Sequence, residues 1–117
     1  MRRRRNKYEY YLVAIFAVAM ILYFIISNIS AESNGVNAYS VAIKTYKNSN
    51  YEQAYQEFKK VPINSSLKEA ALFRQARCAT NLGDKELAVR KYKKIIHSRS
   101  KSTIVPISEY NMATLLV

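Results

Sequence analysis

The side chains that most often carry covalent or acid–base chemistry are scarce in this chain. There is one histidine, His97, and one cysteine, Cys78, and no Ser-His-Asp or Cys-His set can be assembled from them. A single imidazole and a single thiol do not make a metal site of ordinary ligand spacing. The eight acidic residues are scattered, as solvated carboxylates are, and there is no glycine-rich phosphate loop. The expectation is a protein that is not an enzyme and holds no cofactor and no metal. Cys78 reads as a small buried residue. His97 reads as the end of a helix, where a cation suits the dipole.

The chemistry that remains is recognition by charge and apolar surface. Nineteen Lys and Arg against eight Asp and Glu give a formal net charge of +11. Arg90, Lys91, Lys93 and Lys94 make a basic helix face, extended by Arg99 and Lys101. Such a face suits anionic lipid or nucleic acid. A second basic block, Arg2–Arg5 with Lys7, immediately precedes a long apolar run.

That run sets the organisation of the chain. No charged residue occurs between Glu9 and Glu32, and roughly 20 helical residues cross a hydrocarbon core about 30 Å thick. Residues 1–9 are expected as a basic cytoplasmic N-terminus. Residues 10–30 are expected as an uncleaved signal-anchor helix, with Tyr8, Tyr10 and Tyr11 at the headgroup level. The run is longer than the apolar region of a cleaved signal, and Asn28-Ile29-Ser30-Ala31 is a mediocre cleavage site. Arginines on one side place the rest of the chain across the membrane. Residues 31–36 read as a polar linker or a fraying turn.

Residues 37–117 read as paired helices. The first spans 37–48, with Ala38, Val41, Ala42 and Thr45 inward, and Asn48-Ser49-Asn50 as a turn. The second spans 51–61 and stops at Pro62. Ser66 and Glu69 stand in capping-box spacing ahead of a third helix over 66–82. Gly83 supplies a tight turn and Asp84 a cap for a helix over 85–97. Pro106 suits the first turn of a final helix. Shifted by 34 residues, Ala42 falls on Ala76, Ala54 on Ala88, Phe58 on Tyr92, Val61 on Ile95 and Ser49 on Gly83. A period of this length marks a helix-turn-helix unit that buries its apolar face only by stacking.

These residues carry a resemblance. With Ala54, Phe58 and Val61, then Ala88, Tyr92 and Ile95, in second helices, and Tyr110-Asn111-Met112-Ala113 opening a third unit, the chain resembles the tetratricopeptide repeat family. The family implies an all-α fold: here one transmembrane helix followed by a solenoid of two repeats plus the first helix of a third. It also implies a protein-binding groove lined by first helices. Aligned residues are Tyr39, Ile43, Tyr46 and Lys47, then Phe73, Arg77, Thr80 and Asn81, then Tyr110 and Thr114. The Lys and Asn of the family's carboxylate clamp are not matched by Tyr39 and Ile43 or by Phe73 and Arg77. The groove is instead aromatic with basic accents, suited to a peptide with apolar anchors and negative charge.

The layout is similar to that of bacterial periplasmic repeat scaffolds such as spirochaete flagellar collar proteins. The expected role is a single-pass inner-membrane scaffold whose repeats, on the periplasmic side, assemble an envelope complex through the groove and the apolar C-terminal face. The alternatives are a chaperone-like adaptor for translocated polypeptides and an anionic-lipid-binding module. Outside the cytoplasm, nucleic acid is not expected as a partner.

Overall fold

Why these residues form helices is plain from their composition. Leu, Ala, Lys and Glu are abundant, and only two Gly and two Pro interrupt them. The computed structural model describes residues 6–98 and 100–117. Among these there is no strand. Five helices follow one another: α1 (Lys7–Lys47), α2 (Tyr51–Lys59), α3 (Lys68–Asn81), α4 (Lys85–Ile96) and α5 (Ile104–Leu115). Arg2–Arg5 and Arg99, named above in the basic block and the basic face, lie outside the described residues.

The chain divides into two units at Ser30. In the first, every described side chain is exposed, including Leu12, Ile15, Phe16, Ile21 and Phe24. An apolar helix with nothing packed on it is stable where the surroundings are themselves apolar. α1 is long and apolar enough to cross a membrane.

The second unit, Ala31–Val117, has its own core. α3 packs on α2 and on α4, and α4 packs on α5. One buried cluster joins Ala42 of α1 to Ala54 and Phe58 of α2, Val61, and Ala71 and Cys78 of α3. The other joins Ala76 and Ala79 of α3 to Ala88, Tyr92 and Ile95 of α4, with Met112 and Leu115 of α5 packed against it. Of the five residue pairs that coincide at the 34-residue shift, the four apolar ones are therefore core residues. Alanine on the facing helices lets the backbones approach, and one large ring, Phe58 or Tyr92, fills each centre.

The turns repeat as well. Asn50 N–H donates to Thr45 O at 3.3 Å, and Asp84 N–H to Ala79 O at 2.9 Å, the same six-residue closure. The residue before each donor has positive φ, 62° at Ser49 and 79° at Gly83. Asp84 then caps α4, its Oδ1 accepting from Leu87 N–H at 3.1 Å. Asn50 spends its side chain differently, donating to Gln53 Oε1 at 2.9 Å.

Three local expectations are revised. Residues 31–36, read as a linker, are helical and lie within α1. Ala31 and Gly35 are buried there, so packing overrides the weak helix propensity of Ser, Asn and Gly. Val41, expected inward, is half exposed. The capping box does not form: α3 starts at Lys68, and Ser66 turns its hydroxyl and its N–H to the Glu32 carboxylate. Glu69 instead accepts from the Ser102 hydroxyl. In both cases a partner distant in sequence outcompetes the local cap.

Candidate functional site

Packing around Tyr92 decides where the candidate site lies. The Tyr92 ring is buried under Phe73, centroid to centroid 6.0 Å and edge-on. Its hydroxyl points away from the core and accepts from Asn111 Nδ2 of α5 at 3.4 Å. Burial pushes the Tyr92 phenol up, against the opposing effects of the Asn111 amide and the Arg77 charge. It is therefore a neutral group at the floor of a cleft. That cleft, about 180 Å³, is lined by Arg77 and Thr80 of α3, Tyr92 of α4, and Tyr110, Asn111, Thr114 and Leu115 of α5.

Four of the sequence-derived groove residues thus meet: Arg77, Thr80, Tyr110 and Thr114. Arg77 and Tyr110 are exposed, Tyr110 by 74%. The two threonine hydroxyls are already engaged, Thr80 with Ala76 O and Thr114 with Tyr110 O, each at 2.9 Å. The cleft therefore offers one guanidinium, one free aromatic face, one amide and the apolar edge of Leu115. Such a surface can hold an apolar side chain beside a carboxylate.

The remaining groove residues are placed otherwise. Tyr39 is part-buried, edge-on to Phe58 at 5.4 Å, and Ile43 packs on the same cluster. Phe73 is part-buried against the second cluster. Tyr46 sits between Tyr51, 5.3 Å away, and the Arg74 guanidinium, 5.5 Å from its ring centroid. Its hydroxyl accepts from Asn81 Nδ2 at 3.5 Å, which joins two of the groove positions. Lys47 is exposed in the last turn of α1.

Sequence reasoning missed Tyr92, Asn111 and Leu115 as lining residues. Tyr92 looks like core by its spacing, and only the polar tip of a tyrosine, which seeks a partner when the ring is buried, hints otherwise.

The basic face is divided by the fold. Arg90 and Lys93 line an open cleft of about 440 Å³ with Lys85, Glu86, Val89, Leu115 and Leu116. Lys91 leans the other way, its Nζ 5.6 Å from the Tyr55 ring centroid. Lys94 is exposed. Cys78 is fully buried, and burial pushes its thiol up to about 11. Among the described residues, no three His, Cys, Asp or Glu side chains converge on one point. Comparison with protein-family models, curated proteins and solved structures finds no match.

Proposed function

We propose that the chain is a membrane-anchored scaffold of tetratricopeptide type that binds a segment of another protein. The observation that carries this reading is the cleft between α3 and α5, where Arg77, Thr80, Tyr110 and Thr114 stand together although they come from different repeats. Its exposed aromatic and guanidinium suit a peptide with an apolar anchor and an acidic neighbour. Binding, and not catalysis, is what such a surface supports.

The anchor belongs to the same reading. The apolar stretch of α1 holds the chain in a bacterial inner membrane, with the Arg2–Arg5 side in the cytoplasm and the helical array outside it. Tethering raises the local concentration of binding sites without adding contacts. An envelope machine such as a flagellar motor is the kind of assembly this arrangement serves.

The test is crosslinking from native membranes with a photoreactive group at Tyr110, followed by affinity purification. A chain lacking residues 1–30 is run beside it. One dominant stoichiometric partner is expected, lost with the anchor. A broad smear of translocated clients would favour a chaperone-like adaptor, and no crosslink at Tyr110 would remove the cleft from consideration.

A further inference from the structure

We propose that Lys59, Lys68, Lys91 and Lys94 form one composite site for the phosphodiester headgroups of anionic phospholipids. The four residues come from three helices packed in succession. Lys59 is the last residue of α2, Lys68 is the first of α3, and the others lie along α4. Lys91 and Lys94 are about one turn apart on α4.

Two of the ammonium groups are held in place. Lys91 lies against Tyr55 with its Nζ 5.6 Å from the ring centroid. Lys68 Nζ donates to Val61 O at 3.0 Å. A held cation loses less freedom on meeting an anion than one free to swing through solvent.

The cluster also crowds like charge. Burial, then the positive charges of Lys94, Lys59, Lys68 and Arg90, hold the Lys91 ammonium below the usual lysine range. Burial and Lys94 act on Lys68 in the same direction. The neighbouring charges that lower these two lysines are those of Lys59, Lys68, Arg90 and Lys94. Like charges gathered in this way raise the free energy of the empty site, and a multivalent anion lowers it. The chain also carries an apolar helix fit for a bilayer, so phosphodiester headgroups are its most abundant anionic neighbours. This inference does not depend on the cleft around Tyr92.

The experiment uses the full chain in phosphatidylcholine nanodiscs, to which phosphatidylglycerol vesicles are added. Lysine acylation is followed residue by residue by mass spectrometry. Labelling of Lys59, Lys91 and Lys94 is expected to slow severalfold, to recover in high salt, and to be unaffected by phosphatidylcholine vesicles. Lys85 and Lys93, on the other side of α4, are the internal reference and keep their rates. The double variant Lys91→Gln/Lys94→Gln is expected to weaken protection of Lys59 by roughly 30-fold in apparent affinity. Lys85→Gln/Lys93→Gln, which removes the same charge, is expected to leave it unchanged. Equal protection of both lysine sets, or none, would overturn the proposal. So would equal protection by inorganic phosphate, or stronger protection by polyglutamate or a DNA oligonucleotide at matched charge.

Discussion

Ser49 and Gly83 stand 34 positions apart and hold the same left-handed backbone, φ 62° and 79°. Each precedes the donor of an equivalent six-residue hydrogen bond. Only one of the two is the residue that this geometry favours. Serine pays a steric penalty at positive φ that glycine does not. Ser49→Gly is expected to stabilise the fold by about 0.5–1 kcal/mol. Gly83→Ala is expected to destabilise it by about 1 kcal/mol. A Cβ at Gly83 meets nothing within 4 Å, so that loss is purely a backbone effect. Denaturant midpoints of the two variants check the pair, and a shift of the same sign in both would refute the shared turn.

Gly35 is a different kind of glycine. A Cβ there would stand 2.7 Å from the Ser65 Cβ, and closer still to its hydroxyl. The helix and the loop that follows α2 are therefore in backbone-close contact, which only glycine permits. Gly35→Ala is expected to cost about 1–3 kcal/mol by overpacking. Combining it with Ser65→Gly is expected to recover part of the loss. Additivity of the two changes in a double-mutant cycle would contradict this.

The Glu32 carboxylate accepts both the hydroxyl and the N–H of Ser66, the latter at 3.0 Å. These two hydrogen bonds hold its pKa below the ordinary glutamate value. Because the folded-state pKa is the lower one, the carboxylate's contribution is complete above the unfolded pKa of about 4.3 and is lost as the pH falls through the folded value. The stability difference between the native chain and Glu32→Gln is expected to be constant near neutrality and to shrink below about pH 4. Urea unfolding at a series of pH values measures it, and a pH-independent difference would show that the carboxylate charge is not involved.

Cys78 is expected to be inert. Its thiol is fully buried and its pKa is pushed up to about 11, so almost no thiolate exists at pH 8. Its reaction with an aromatic disulfide reagent is expected to track the unfolding transition as denaturant is raised. Rapid reaction without denaturant would mean that α3 opens locally against α2.

The proposed partner site makes its own demand. Tyr110→Ala and Arg77→Glu remove exposed side chains from the cleft without touching the core. Partner capture from membranes is expected to fall at least tenfold, while helix content and unfolding midpoint stay within about 0.5 kcal/mol of the native chain. A matching loss of stability would make the effect on capture indirect.

Much of the helical architecture was legible because it rests on local signals. Gly83 and Asp84 announce their turn and cap, Pro62 announces the end of α2, and alternate Ala and aromatic residues announce the buried faces. Most of the departures involve residues whose best partner is distant in sequence. Glu32, Ser66, Glu69 and Ser102 read as linker, cap and loop, and the long-range pairing of helix carboxylate with loop serine overrides those local roles. Val41 fits the helical period yet stays half exposed, because a period fixes a face but not what covers it. In the candidate site, Arg77, Thr80, Tyr110 and Thr114 were found through their repeat positions. Asn111 escaped notice because its role depends on meeting the Tyr92 hydroxyl across the α4–α5 packing. The division of Arg90, Lys91, Lys93 and Lys94 between two surfaces was likewise invisible without the neighbouring helices.

Glu32 and Glu69 fasten serines that lie 34 and 33 residues further on. Each such clasp joins one helical hairpin to the start of the next and is encoded within about one hairpin's length of chain. A tandem duplication of that length would copy the clasp along with the hairpin. The array is thus of a kind that evolution can lengthen or shorten by whole units, without inventing a new fastening at each junction.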